Sequence, residues 1–227
     1  MTPRPRQLAL DLDYRPALDR EDFLVSPANA AAVEAVDVWP HWAQGSLAIC
    51  GDAGVGKTHL VEVWRSRSGG CRVAADELAE ATLTRASDVG ATAIEDIDRG
   101  IGDERILFHL FNLAREGRLT LLLTSRGLPG ELAIVLPDLR SRMRAMALVR
   151  IEAPDEALLR ALLVKLLADR QQAVAPAVIE YVIKRMERSA EAAIRFVKAL
   201  DQRALETRRR LTARLAREVL DGLADPQ

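Results

Sequence analysis

Between residues 46 and 151 the chain alternates short apolar runs with segments whose apolar residues recur at helical spacing. Ser46-Leu-Ala-Ile-Cys50, Cys71-Arg-Val-Ala-Ala75, Gly90-Ala-Thr-Ala-Ile-Glu-Asp-Ile97, Leu119-Thr-Leu-Leu-Leu-Thr124 and Ala147-Leu-Val-Arg-Ile151 read as strands. The run at 119–124 is unbroken, as expected for a strand buried on both faces. Helices are predicted from His59 to about Arg65, from Asp76 to Arg85, and from Glu104 to Glu116. The last of these carries Leu107, Phe108, Leu110, Phe111 and Leu113 and stops at Gly117. Upstream, Ser26 or Asn29 can cap a helix reaching about Trp39, with Pro27 near its first turn. Strands alternating with helices predict an α/β subdomain over residues 21–152, with a parallel sheet flanked by helices. Beyond Pro154 the rhythm is helical only, in Asp155–Gln172, Pro176–Arg188, Ala190–Arg208 and Leu211–Leu223. A small all-helical subdomain over 153–227 follows, and Arg208-Arg209-Arg210 reads as a solvated turn within it.

Residues 1–20, rich in Pro, Arg and Asp, read as an extended tail. Within it, Gln7-Leu8-Ala9-Leu10-Asp11-Leu12 alternates apolar and polar positions and puts three leucines on one side of a strand. These leucines are either displayed to a partner or packed as an edge strand on the chain's own domain.

Composition narrows the class. In 227 residues, 49% are hydrophobic, enough for a sizeable core. Lys plus Arg number 32 and Asp plus Glu 33, so the chain lacks the basic surplus of a non-specific nucleic-acid binder. Two cysteines, Cys50 and Cys71, make no disulfide framework and suit a reducing compartment. No apolar core follows the N-terminal Met-Thr-Pro-Arg-Pro-Arg, and no apolar run reaches the ~20 residues that cross a bilayer. The expectation is a soluble cytoplasmic protein without membrane contact.

The chemistry concentrates in Gly51-Asp-Ala-Gly54-Val55-Gly56-Lys57-Thr58, which fits G-x-x-x-x-G-K-[ST]. A strand before it and a helix start after it supply what phosphate binding needs. Backbone N–H groups point inward and the helix dipole adds positive potential. Lys57 can reach the β- and γ-phosphates, and the Thr58 hydroxyl can ligate Mg²⁺. Glu95 and Asp96 end the third strand, where one carboxylate would hold Mg²⁺ and the other polarise an attacking water. Thr124 and Ser125 end the next strand beside the same crevice and could sense the γ-phosphate. Arg140, Arg142 and Arg144 alternate in the segment from Pro137. They read either as a finger that enters a neighbour's nucleotide site or as a basic turn paired with nearby acids.

The phosphate loop followed by His59-Leu60, the acidic strand, the Leu-Thr124-Ser125 strand, Leu139-Arg140-Ser-Arg142 and a helical lid together resemble the AAA+ module of the bacterial initiator DnaA, from about Phe23 to Leu205. The lid is expected to close the chain, without the helix-turn-helix domain that follows it in DnaA. The Gln7–Leu12 segment is similar to the sliding-clamp-binding motif of the Hda family of DnaA-related regulators. The resemblance implies an AAA+ fold that binds ADP or ATP with Mg²⁺. It also implies docking on the DNA polymerase sliding clamp and promotion of hydrolysis of DnaA-bound ATP. No sequence-specific DNA contact is expected, and a homo-oligomer is open.

The implied site residues are Gly51, Gly54, Val55, Gly56, Lys57, Thr58, His59 and Thr124 for the nucleotide, and Thr58, Glu95 and Asp96 for the metal. Arg142 takes the finger position ahead of Arg140, and Gln7, Leu8, Leu10 and Leu12 contact the clamp. Phe23 and Val25 either flank the adenine or sit in the core. Arg195 is either the lid's sensor arginine or a solvated helix residue; aligning on Leu200 instead puts Ile194 there. Two positions depart from the family. Glu95 stands where DnaA has an aspartate, and Arg126 replaces the aspartate after Thr124-Ser125. Both point to weak hydrolysis by the chain itself. The competing readings are a DnaA-like ATPase or loader adaptor working through its own hydrolysis, and a scaffold in which nucleotide only stabilises the fold.

Overall fold

The computed structural model describes residues 23–172, 174–207 and 212–224. Gln7, Leu8, Leu10 and Leu12, and the Arg208–Arg210 run, lie outside the described residues. The described residues divide into two compact units, one from Phe23 to Ala153 and the other from Pro154 to Ala224.

The first unit is built on a five-stranded parallel sheet in the order β2-β3-β4-β1-β5. Its strands are β1 (Ser46–Cys50), β2 (Cys71–Ala74), β3 (Ala91–Glu95), β4 (Thr120–Ser125) and β5 (Ala147–Arg150). Central β1 and β4 pair from Ser46↔Leu121 to Cys50↔Ser125. Successive side chains go to opposite faces, so the sheet feeds two cores. Ala48, Cys50, Ile94, Leu121 and Leu123 join Leu107, Leu110 and Leu139 on one side. Leu47, Ile49, Ala93 and Leu122 join Val33, Leu60, Val61 and Trp64 on the other.

Helices α1 (Ala30–Asp37), α2 (Lys57–Ser68), α3 (Glu80–Val89), α4 (Glu104–Arg115) and α5 (Pro137–Ala145) cover the sheet. Helix α4 begins where the Asp103 carboxylate accepts from the Arg105 and Ile106 amides, and it buries Ile106, Leu107, Leu110, Phe111 and Ala114.

Helices α3 and α5 differ from the sequence reading for reasons visible in the structure. The helix expected over Asp76–Arg85 starts later, at Glu80, and runs to Val89. Residues Ala75–Glu77 form a 3-10 turn instead, because the Gly102 amide donates to the Ala75 carbonyl. Gly102 also lies so close that a Cβ there would meet the Asp76 carbonyl at 2.4 Å. The Thr82 hydroxyl then caps the late start by accepting from the Ala79 amide at 3.3 Å. The arginine segment, read either as a finger or as a basic turn, is helix α5. Pro137 opens it, and Leu139 and Met143, four apart, are its buried positions.

The second unit holds α6 (Glu156–Ala168), α7 (Pro176–Ile183), α8 (Ala190–Thr207) and α9 (Ala213–Ala224). Leu163, Leu167, Val182, Phe196, Leu200 and Leu215 are among its core residues. Among the described residues, no helix is long and apolar enough to cross a membrane.

Leu122 is fully buried in the central strand. Leu122→Ala should lower unfolding free energy by about 3 kcal/mol, read from the midpoint of a urea titration at unchanged slope.

Candidate nucleotide-binding site

The loop from Gly51 to Gly56 leaves β1 and enters α2 with positive φ at Gly51, Gly54 and Gly56 (154°, 72° and 107°). At Gly51 a Cβ would also meet the Ile151 carbonyl oxygen at 2.5 Å, so no larger residue fits. The first residue of α2 is Lys57, only 7% exposed. Its Nζ donates to the carbonyls of Gly51 (2.6 Å) and Asp52 (2.8 Å), so the ammonium lies folded over its own loop. Burial pushes the Lys57 pKa below its ordinary value; Asp96 and then Asp98 pull it back up, and Arg126 pushes it further down. Cys50, at the end of β1, is a buried neutral thiol whose pKa burial raises to about 11.

The acidic end of β3 lies two strands away. The Glu95 side chain is 12% exposed and pairs with Arg72 at 3.3 Å. Arg72 holds Glu62 at 3.1 Å with the same guanidinium. Burial raises the Glu95 pKa, while the adjacent Thr58 hydroxyl and Arg72 work in the opposite direction. The other carboxylate oxygen, Oε1, is buried without a hydrogen-bond partner. Asp96 leaves the strand in the left-handed region at φ 57°, with Oδ2 3.4 Å from Arg99. Its amide donates to the Thr124 hydroxyl at 3.0 Å, so Thr124 positions the acid turn. Ser125 accepts the Gly51 amide with its carbonyl, and its buried Oγ has no hydrogen-bond partner.

The sequence reading missed Asp98. Its carboxylate accepts from the Arg126 amide at 2.9 Å and stands 3.8 Å from the Arg126 Nε. Asp98 thus ties the end of β4 to the turn after β3.

Phe23 is buried, meets His59 edge-on at 4.9 Å, and lies 3.9 Å from where a Gly56 Cβ would be. Asn29 anchors this segment: its side chain accepts from the Ser26 amide at 2.8 Å and donates to the Leu24 carbonyl at 2.9 Å. Val25 is 51% exposed and takes no part in the core. In α5, Arg140 donates twice to the Ile134 carbonyl and Arg144 once to that of Gly130. Arg142 differs from both: its guanidinium carbon lies 5.3 Å from the Phe108 ring centroid, and its buried Nε has no hydrogen-bond partner. In the helical unit, Arg195 pairs with Glu191 (3.1 Å) and Glu187 (3.3 Å). A cleft of about 430 Å³ lies at the opposite end of the strands, where β1, β3 and β4 begin, between Trp39, Trp42, Arg115 and Arg118; no carboxylate, histidine or cysteine lines it.

A parallel sheet with this strand order, a glycine loop after β1 and a following helical unit has clear counterparts. Domain III of the Thermotoga maritima replication initiator DnaA superposes with a TM-score of 0.78 at 20% identity, covering 93% of this chain and 99% of that one. The fold is that of an AAA+ module. AMPPCP-bound DnaA from Aquifex aeolicus gives a TM-score of 0.72 at 21% identity, over 92% of this chain and 72% of that one. The Thermotoga maritima RuvB Holliday junction branch migration motor gives 0.67 at 15% identity, over 92% and 72%. No protein-family model matches the chain.

The raised Glu95 pKa has a signed consequence. A carboxyl held above its unfolded value contributes stability at low pH and loses that contribution as pH rises through the folded value. Glu95→Gln should therefore match the parent chain below about pH 4 and become progressively the more stable of the two above it. Urea titrations across that range read the difference; a parallel pH dependence of the two proteins would rule the shift out.

Proposed function

We propose that the chain is an adenine-nucleotide-binding regulator related to DnaA, which docks on the DNA polymerase sliding clamp and promotes hydrolysis of DnaA-bound ATP. The observation that carries this reading is Arg142, a half-buried guanidinium on a DnaA-like AAA+ fold, packed on Phe108 with no hydrogen-bond partner at Nε. An arginine so placed can enter a partner's nucleotide site and stabilise the charge of a transferring phosphoryl group.

In this reading residues 1–20 carry the clamp contact through Gln7, Leu8, Leu10 and Leu12, residues 21–152 hold the nucleotide, and 153–227 form the lid. Gly51, Gly54, Val55 and Gly56 offer backbone amides, and Lys57 exchanges two carbonyls for phosphate oxygens. Phe23, seated on His59, supports the base, while Val25 is free to touch it. The donor set fits Mg²⁺: the Thr58 hydroxyl adjoins Glu95, whose Oε1 lacks a partner. Bound there, the metal would neutralise charge on the terminal phosphates, with Asp96 beside it.

The chain's own hydrolysis is slow in this reading. Asp96 faces Arg99 at 3.4 Å and Glu95 faces Arg72 at 3.3 Å, so each carboxylate is already engaged by an arginine where an attacking water would need it. The nucleotide at rest is ADP, Arg195 acts within the lid, and the protein works in the cytoplasm, alone or as a homo-oligomer.

Hydrolysis of DnaA-bound ATP, measured with and without this protein and DNA-loaded clamp, tests the proposal. Stimulation should require both and fall about 10³-fold or more in Arg142→Ala. Replacing Leu10 and Leu12 by alanine should abolish clamp binding, followed by surface plasmon resonance, and leave nucleotide binding intact. Vigorous ATP turnover by this chain alone, indifferent to clamp, would instead assign a DnaA-like ATPase.

A further inference from the structure

Every acid at the end of β3 has an arginine beside it. Glu95 pairs with Arg72 at 3.3 Å, Asp96 with Arg99 at 3.4 Å, and Asp98 with Arg126 at 3.8 Å. Where acids face a polyphosphate, like charges repel, and a divalent cation between them ordinarily relieves the repulsion. Here Arg72 and Arg99 already offset Glu95 and Asp96, and Asp98 is held by the Arg126 main-chain amide.

Arg126 does more than balance Asp98. It follows Ser125, whose carbonyl accepts the amide of Gly51, so it leaves the sheet beside the first residue of the phosphate loop. Its backbone is pinned by the 2.9 Å bond from its amide to Asp98. Its side chain is 49% exposed and only loosely paired. A guanidinium on a fixed stem, at the rim of a phosphate crevice, presents a planar fork that matches phosphate oxygens two at a time.

We propose that this crevice holds its nucleotide without requiring Mg²⁺, because Arg126 supplies beside Lys57 the positive charge that the metal ordinarily brings to the terminal phosphate. The inference rests on the nucleotide site described under Proposed function. Magnesium can still enter at Thr58 and Glu95; it adds little to affinity because the charge it would neutralise is already met.

The test is calorimetric titration of the full chain with ADP and with ATP, in magnesium and in EDTA, for the parent protein, Arg126→Gln and Arg126→Lys. Removing magnesium should weaken binding to the parent less than about fivefold. Arg126→Gln should lose at least about tenfold more than the parent in EDTA and recover most of it in magnesium, with Arg126→Lys between the two. A parent protein weakened about fivefold or more by EDTA overturns the proposal. A smaller gap between Arg126→Gln and the parent overturns the role of Arg126. Binding only with magnesium leaves the nucleotide site standing without this inference; no binding in either condition removes both.

Discussion

The main-chain hydrogen bond from the Gly51 amide to the Ser125 carbonyl joins the phosphate loop to the strand that carries Thr124 and Arg126. It is the last bond of the β1–β4 ladder, where Cys50 pairs with Ser125. Both strands are buried, and a slip of one residue would turn Leu121 and Leu123 into the core that now holds Leu122. The register sets which side chains reach the crevice. The phosphate loop, the Thr124 hydroxyl and Arg126 share one address because β1 and β4 pair in this register.

Around that address the charges form a closed set. Lys57 is depressed by burial and steadied by Asp96 and Asp98, while each acid leans on an arginine. Such pairs on half-exposed side chains contribute little to stability individually. Their effect lies in the potential they leave behind, which favours an anion without surrounding it with uncompensated carboxylates. The hydroxyl of Thr124 adds geometry, holding Asp96 at a backbone angle that non-glycine residues seldom adopt.

Much of this was legible in the sequence where a single pattern determined the outcome. Ser46–Cys50 coincides with β1 because a strand buried on both faces leaves an unbroken apolar run. The glycine loop was legible because backbone conformation and close approach restrict its residue types. Helix α5 was obscured by its three arginines, although Pro137 and the four-residue spacing of Leu139 and Met143 carried the signal. The start of α3 could not be read locally, since Gly102, distant in sequence, holds the preceding turn. Asp98 was invisible for a related reason: it meets Arg126 only after the 3-10 turn Ile97–Arg99 folds the chain back toward β4. Pairings of this kind belong to the tertiary fold and leave no spacing to recognise.

The approach of the Ile151 carbonyl to Gly51 carries a mechanical implication. Ile151 is the residue at which the chain leaves the sheet, its amide still bonded to the Cys50 carbonyl at 2.8 Å. The exit of the polypeptide and the threshold of the phosphate loop are therefore one rigid joint, with no side chain between them to absorb movement.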